Sequence, residues 1–147
     1  MTWTTPKTWL SEPLTSVDLN TYVRDNQNAL KHPPTVSTNV LSTFSTTSTA
    51  YVDVPDSELT IVTTGGDVMV SISGGARNTG GGGYAGVRLD ATDYDVLFWE
   101  ANNWHGIGCA FLLRDVAPGS HTVRLRLRAI ASTASLWVTQ FWVREVS

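Results

Sequence analysis

The chain has 147 residues, a net charge of −3 and 16% charged residues. A chain of this length buries roughly 68–70% of its unfolded surface, so its core needs no staple, and the single cysteine, Cys109, excludes an intrachain disulfide and reads as a small buried hydrophobe. The acidic balance argues against general nucleic-acid binding, and no apolar run reaches the ~18 residues of a membrane helix.

Residues 1–34 read as an attachment arm and one short α-helix. Trp3, Trp9 and Leu10 lie in a stretch without strand pattern, flanked by Pro6 and Pro13, and are the expected attachment residues. Aromatic anchors of this kind fill partner pockets and commonly dominate binding. Thr15 and Asp18 have the spacing of a capping box, which satisfies free amides at a helix start. Leu19, Val23, Asn26 and Leu30 follow at coiled-coil spacing, with one polar residue in the seam. Pro33-Pro34 stops the helix. The segment is barely above the ~12–15 residues below which isolated helices are marginal in water. Its seam must therefore be buried, against copies of itself or against the rest of the chain.

The pattern of Trp3, Trp9, Thr15, Leu19-Asn20, Arg24-Asp25-Asn26 and Leu30 resembles an N-terminal segment of tailed-bacteriophage structural proteins. The likeness covers about a fifth of the chain. It implies a virion structural protein, usually an oligomer, and brings no catalytic residues with it.

Residues 35–147 read as one β domain. A Ser/Thr-rich linker, 34–49, leads into strands over Tyr51–Val54 and Glu58–Thr63. Gly65-Gly66-Asp67 is a hairpin signal, after which Val68, Val70 and Ile72 share a face. A long glycine-rich loop is expected over Ser73–Gly83, then a strand over Tyr84–Asp90 and an acidic turn from Asp90 to Asp95. Val96–Glu100, Ile107–Arg114, His121–Ile130 and Leu136–Val146 complete about nine strands. Such spacing, with no helical pattern after Leu30, predicts a mostly β, jelly-roll-like antiparallel β-sandwich. The block from Gly82 to Ala129 also resembles β domains at the ends of phage fibres and on capsid surfaces.

Four groups are candidate sites. Arg124, Arg126 and Arg128 alternate with an apolar set and read as an ordinary solvated face, paired across strands, ahead of a basic binding strip. In the last strand, Trp137 and Phe141 fall on one side by simple alternation and Trp142 on the other, which predicts a strand buried on both faces, by its own core or, as the sharper reading, by a neighbouring subunit. Trp99, Asn103, Trp104 and His105 form an aromatic and amide loop suited to stacking on sugar rings, although such tryptophans more often anchor a loop to its own domain. Asp90, Asp93 and Asp95 miss the calcium-loop pattern, and the three histidines lack metal spacing, so no metal and no cofactor are expected.

The expectation is a non-enzymatic homotrimer on the exterior of a phage particle, assembled in the host cytoplasm. Capsid decoration, with the major capsid protein as partner, is the first reading. A short tail-fibre or tip protein binding host-surface glycans, or a stand-alone carbohydrate-binding module, is the alternative. Neither nucleic acid nor membrane is an expected partner.

Overall fold

The computed structural model describes residues 13, 15–39 and 42–146. The expected attachment residues Trp3, Trp9 and Leu10 lie outside them. The chain divides into two units, Met1–Pro34 and Thr35–Ser147.

In the first unit, the capping box forms. Thr15 Oγ1 accepts from the Asp18 amide at 3.1 Å, and the Asp18 carboxylate accepts from the Thr15 amide at 3.2 Å. Helix α1 (Ser16–Asp18) then passes into a π-helical stretch, Leu19–Arg24, before α2 (Asp25–Lys31). The Asp25 amide reaches back five residues to the Asn20 carbonyl. Each such turn holds one residue more than an α turn, so residues beyond it are rotated by about 100° from the straight-helix expectation. The regular seam is therefore broken. Leu19, Val23 and Leu30 are exposed, whereas Asn26 is buried and its amide nitrogen donates to the Tyr22 carbonyl at 3.2 Å.

The second unit is an antiparallel β-sandwich. Its strands are β1 (Thr35–Thr38), β2 (Phe44–Thr46), β3 (Val52–Asp53), β4 (Leu59–Thr63), β5 (Gly66–Asn78), β6 (Gly83–Leu89), β7 (Thr92–Trp99), β8 (His105–Val116), β9 (Gly119–Ala129) and β10 (Ala134–Glu145). One sheet runs β1-β10-β5-β8, with β2 also on β10. The other runs β3-β9-β6-β7, with β4 also on β9. Alternation sets the inner faces. Ile61, Val68, Val70, Val123, Leu125 and Leu127 are buried between the sheets.

The expected linker at 34–49 instead supplies β1 and β2. The expected long loop is mostly strand, because β5 continues through Gly74 and Gly75 to Asn78. Only residues 79–82 turn the chain. A β-carbon on Gly74 would lie 1.9 Å from the Trp137 carbonyl oxygen, so the glycine reflects a close approach of two backbones rather than a break.

Strand β10 departs from simple alternation. Its register against β5 shifts between Val138 and Gln140. Thr139 is the extra residue, and its Oγ1 donates to the Ser73 carbonyl at 3.0 Å. A bulge of one residue exchanges the faces that follow it. Leu136 and Val138 before it, and Phe141 and Val143 after it, therefore all point into the core. The expected two-sided apolar strand has a single apolar core face, and Phe141, expected at a subunit interface, is fully buried in its own domain. Trp137 and Trp142 are left on the outer face.

Candidate functional site

The outer face of the first sheet is floored by small residues. The pairing of β8, β5 and β10 sets Gly106, Gly75 and Trp137 in one row, and Gly108, Ser73 and Gln140 in the next. Ala110, Ser71 and Trp142 make the third, where Trp142 also lies opposite Ser37. A β-carbon at Gly106 or Gly108 would meet nothing within 4 Å, so the floor is open above both.

Two tryptophans wall this floor. Trp137 comes from β10, and Trp104 from the turn before β8. They are 44% and 43% exposed, high for side chains whose burial is so favourable. A β-carbon on Gly75 would lie 3.4 Å from Trp104 Cε3 and 3.6 Å from Trp137 Cε3, so both rings flank the same glycine. Together with Thr43, His105, Gly74 and Gly106 they enclose a cleft of about 430 Å³. That is within the ~300–1,000 Å³ of small-ligand pockets.

Polar groups surround the rings. His105 Nδ1 lies 3.4 Å from the Asn103 carbonyl oxygen. Arg77, two residues beyond Gly75 on β5, holds its guanidinium carbon 5.1 Å from the centre of the Trp104 ring, a cation–π contact. The arrangement offers flat apolar faces, a hydroxyl and an imidazole around an open floor, with a guanidinium stacked on one of the walls.

Only part of the predicted aromatic loop belongs here. Trp104 and His105 line the cleft, and Asn103 is exposed beside them. Trp99 does not. It ends β7 on the inner face, is 4% exposed and packs under Gly83, where a β-carbon would lie 2.7 Å from its Cζ2. Trp137, expected at a subunit contact, is the second wall of the cleft. Thr43, Gly74, Gly75 and Gly106 were not singled out by sequence; paired glycines inside an otherwise apolar strand were the available signal.

The arginine face of the second sheet is internally neutralised. Arg126 pairs with Asp53 at 2.9 Å and with Asp93 at 3.0 Å, and its Nη2 donates to the Tyr51 carbonyl at 2.6 Å. Arg124 pairs with Asp53 and Glu58, and Arg88 holds Asp93 through two bonds of 2.8 and 2.9 Å. Arg128 lies 4.1 Å from the centre of the Tyr84 ring and pairs with Asp95. Tyr51 donates to Asp95, and burial, reinforced by that carboxylate, pushes its phenol up to about 12. Asp93 is held below the usual carboxylate range, chiefly by Arg88. The basic strip is thus a paired face, with Arg126 at its centre buried. Of the candidate calcium acids, Asp93 and Asp95 serve it and Asp90 pairs with His121, and no group of acids, histidines or cysteines among the described residues is arranged to hold a metal.

No protein-family model matches the chain, and no curated protein matches it. Among solved structures, it is similar to one described as the C-terminal CBM6 of LamC, a marine laminarinase from Zobellia galactanivorans. The TM-score is 0.37 and the identity 12%, over 76% of this chain and 99% of that one.

Proposed function

We propose that this chain is a non-enzymatic recognition protein on the exterior of a tailed-phage particle, whose β-sandwich binds a glycan in the Trp104–Trp137 cleft. The observation that carries the binding role is the pair of half-exposed indoles flanking Gly75 over an open floor. Exposed aromatic walls around a few polar groups suit the apolar faces and hydroxyls of a sugar ring. The virion assignment rests on the resemblance of residues 3–30. This favours the tail-fibre or tip reading over capsid decoration, because decoration leaves the cleft without a use.

A glycan array, followed by calorimetry on the full chain, tests the reading. Trp104→Ala and Trp137→Ala should each weaken binding at least about tenfold, the loss of one stacking wall, while circular dichroism stays unchanged. Absence of binding to any glycan, or binding indifferent to both substitutions, would overturn it.

Self-association has its own support. Leu19, Val23 and Leu30 are 48%, 42% and 69% exposed on a segment barely long enough to be stable alone. A homotrimer held by these residues satisfies both facts.

A further inference from the structure

Arg77 distinguishes this cleft from a neutral sugar site. Of the outward positions on β5 that begin at Ser71 and pass through Ser73 and Gly75, Arg77 is the charged one. Strand geometry sets its Cα about 7 Å along the floor from Gly75. Its described partner is the face of Trp104, at 5.1 Å. Its Nε, like those of Arg126 and Arg128, is buried without a hydrogen-bond partner among the described residues. The arginines of the second sheet, by contrast, are matched with Asp or Glu: Arg88 with Asp93, Arg124 with Glu58, Arg126 with Asp53 and Arg128 with Asp95. A guanidinium that has no carboxylate among the described residues and is stacked on a wall of the cleft suits an anion, because its planar fork matches a carboxylate and the indole fixes its orientation.

We infer that the cleft selects an acidic sugar, a pyranose ring bearing a carboxylate. The ring lies over Gly75 between Trp104 and Trp137, and the carboxylate pairs with Arg77. This rests on the glycan reading above and adds the ligand's charge to it. A charge-assisted hydrogen bond made on binding is worth about ten- to a hundredfold in affinity.

The test is calorimetry on the full chain with oligogalacturonate and with a neutral cello-oligosaccharide of equal length, at low and high sodium chloride. The acidic ligand should bind at least about tenfold tighter, with an affinity that falls as salt rises, while the neutral ligand should be indifferent to salt. Arg77→Gln should abolish the preference and the salt dependence, and Arg77→Lys should retain part of both. The wild-type salt comparison decides the matter even if Arg77→Gln fails to fold. Equal binding of both ligands, or a preference that survives in Arg77→Gln, overturns the acidic-sugar inference and leaves the glycan reading standing. Binding of neither ligand overturns the inference, and the glycan array then decides the wider reading by itself.

Discussion

Gly74 and Gly106 sit on adjacent strands and face opposite outcomes when substituted. At Gly74 a β-carbon would strike the Trp137 carbonyl oxygen at 1.9 Å, and backbone cannot move aside as a side chain can. Gly74→Ala should cost at least about 3 kcal/mol, the upper range of overpacking. At Gly106 the same carbon meets open space. Gly106→Ala should change stability by less than about 0.5 kcal/mol, as at an ordinary surface site. Urea unfolding of the two variants checks both. His121 supplies a pH-dependent case. Its Nδ1 lies 2.8 Å from Asp90 Oδ2, and its Nε2 lies 2.8 Å from the Ala117 carbonyl oxygen. Both partners accept hydrogen bonds, so the imidazolium, with two N–H groups, satisfies both. Asp90 accordingly raises the histidine above its ordinary value of about 6.5. A raised folded-state value gives stability that is fully present below the unfolded value and lost as pH rises through the folded one. Asp90, held low chiefly by His121, contributes stability present above about 3.9 and lost as pH falls through its lowered value. Melting temperatures should therefore fall as pH rises above about 6.5, and His121→Gln should flatten that limb.

The bulge at Thr139 decides which side of β10 is core. Deleting Thr139 restores simple alternation and sets either Leu136 and Val138 or Phe141 and Val143 against solvent. The deletion variant should lose its cooperative thermal transition, whereas Thr139→Ala, which removes the hydroxyl's two hydrogen bonds to Ser73, should cost about 1–2 kcal/mol. Phe141→Ala should cost about 3–5 kcal/mol as a core truncation, in monomer and oligomer alike. Strand β9 was readable from residues alone, because Val123, Leu125 and Leu127 alternate with arginines without interruption. Strand β10 was readable in extent but not in facing. A bulge adds a residue without changing composition, and Thr is as good a strand former as its neighbours. The same limit applied to the helical segment. Its capping box is visible in Thr15 and Asp18, but the five-residue reach from Asp25 to Asn20 leaves no compositional trace. Among these residues, Val23→Asp should abolish any self-association of the full chain, and light scattering that detects no oligomer in the wild type would remove the trimer reading.

At the scale of the molecule, alternation and turn residues made a β-sandwich legible, because each is a local property. The cleft is non-local. Trp104 and Trp137 are distant in the chain and meet only because β8 and β10 both pair with β5. No spacing in the sequence announces that meeting, so one indole was assigned to a loop and the other to an interface. The two outer faces also differ in character. The second sheet carries Arg–Asp and Arg–Glu pairs, and the first presents glycine, serine and tryptophan near the cleft. If the chain belongs to a phage particle, as proposed above, recognition on the first face predicts that Trp104→Ala lowers adsorption of that particle to its host while the particle's melting temperature is unchanged. A particle that melts higher as protein is added, with adsorption indifferent to Trp104, would favour capsid decoration instead.

The open space above Gly106 and Gly108 also bears on how such a molecule changes over generations. A side chain added there reshapes the outer surface and leaves the interior untouched. Inheritance of the scaffold and diversification of its taste are thus separable. Under the recognition role proposed above, a lineage could change its ligand by decorating a bare floor, one methyl group at a time, without first acquiring a compensating change elsewhere.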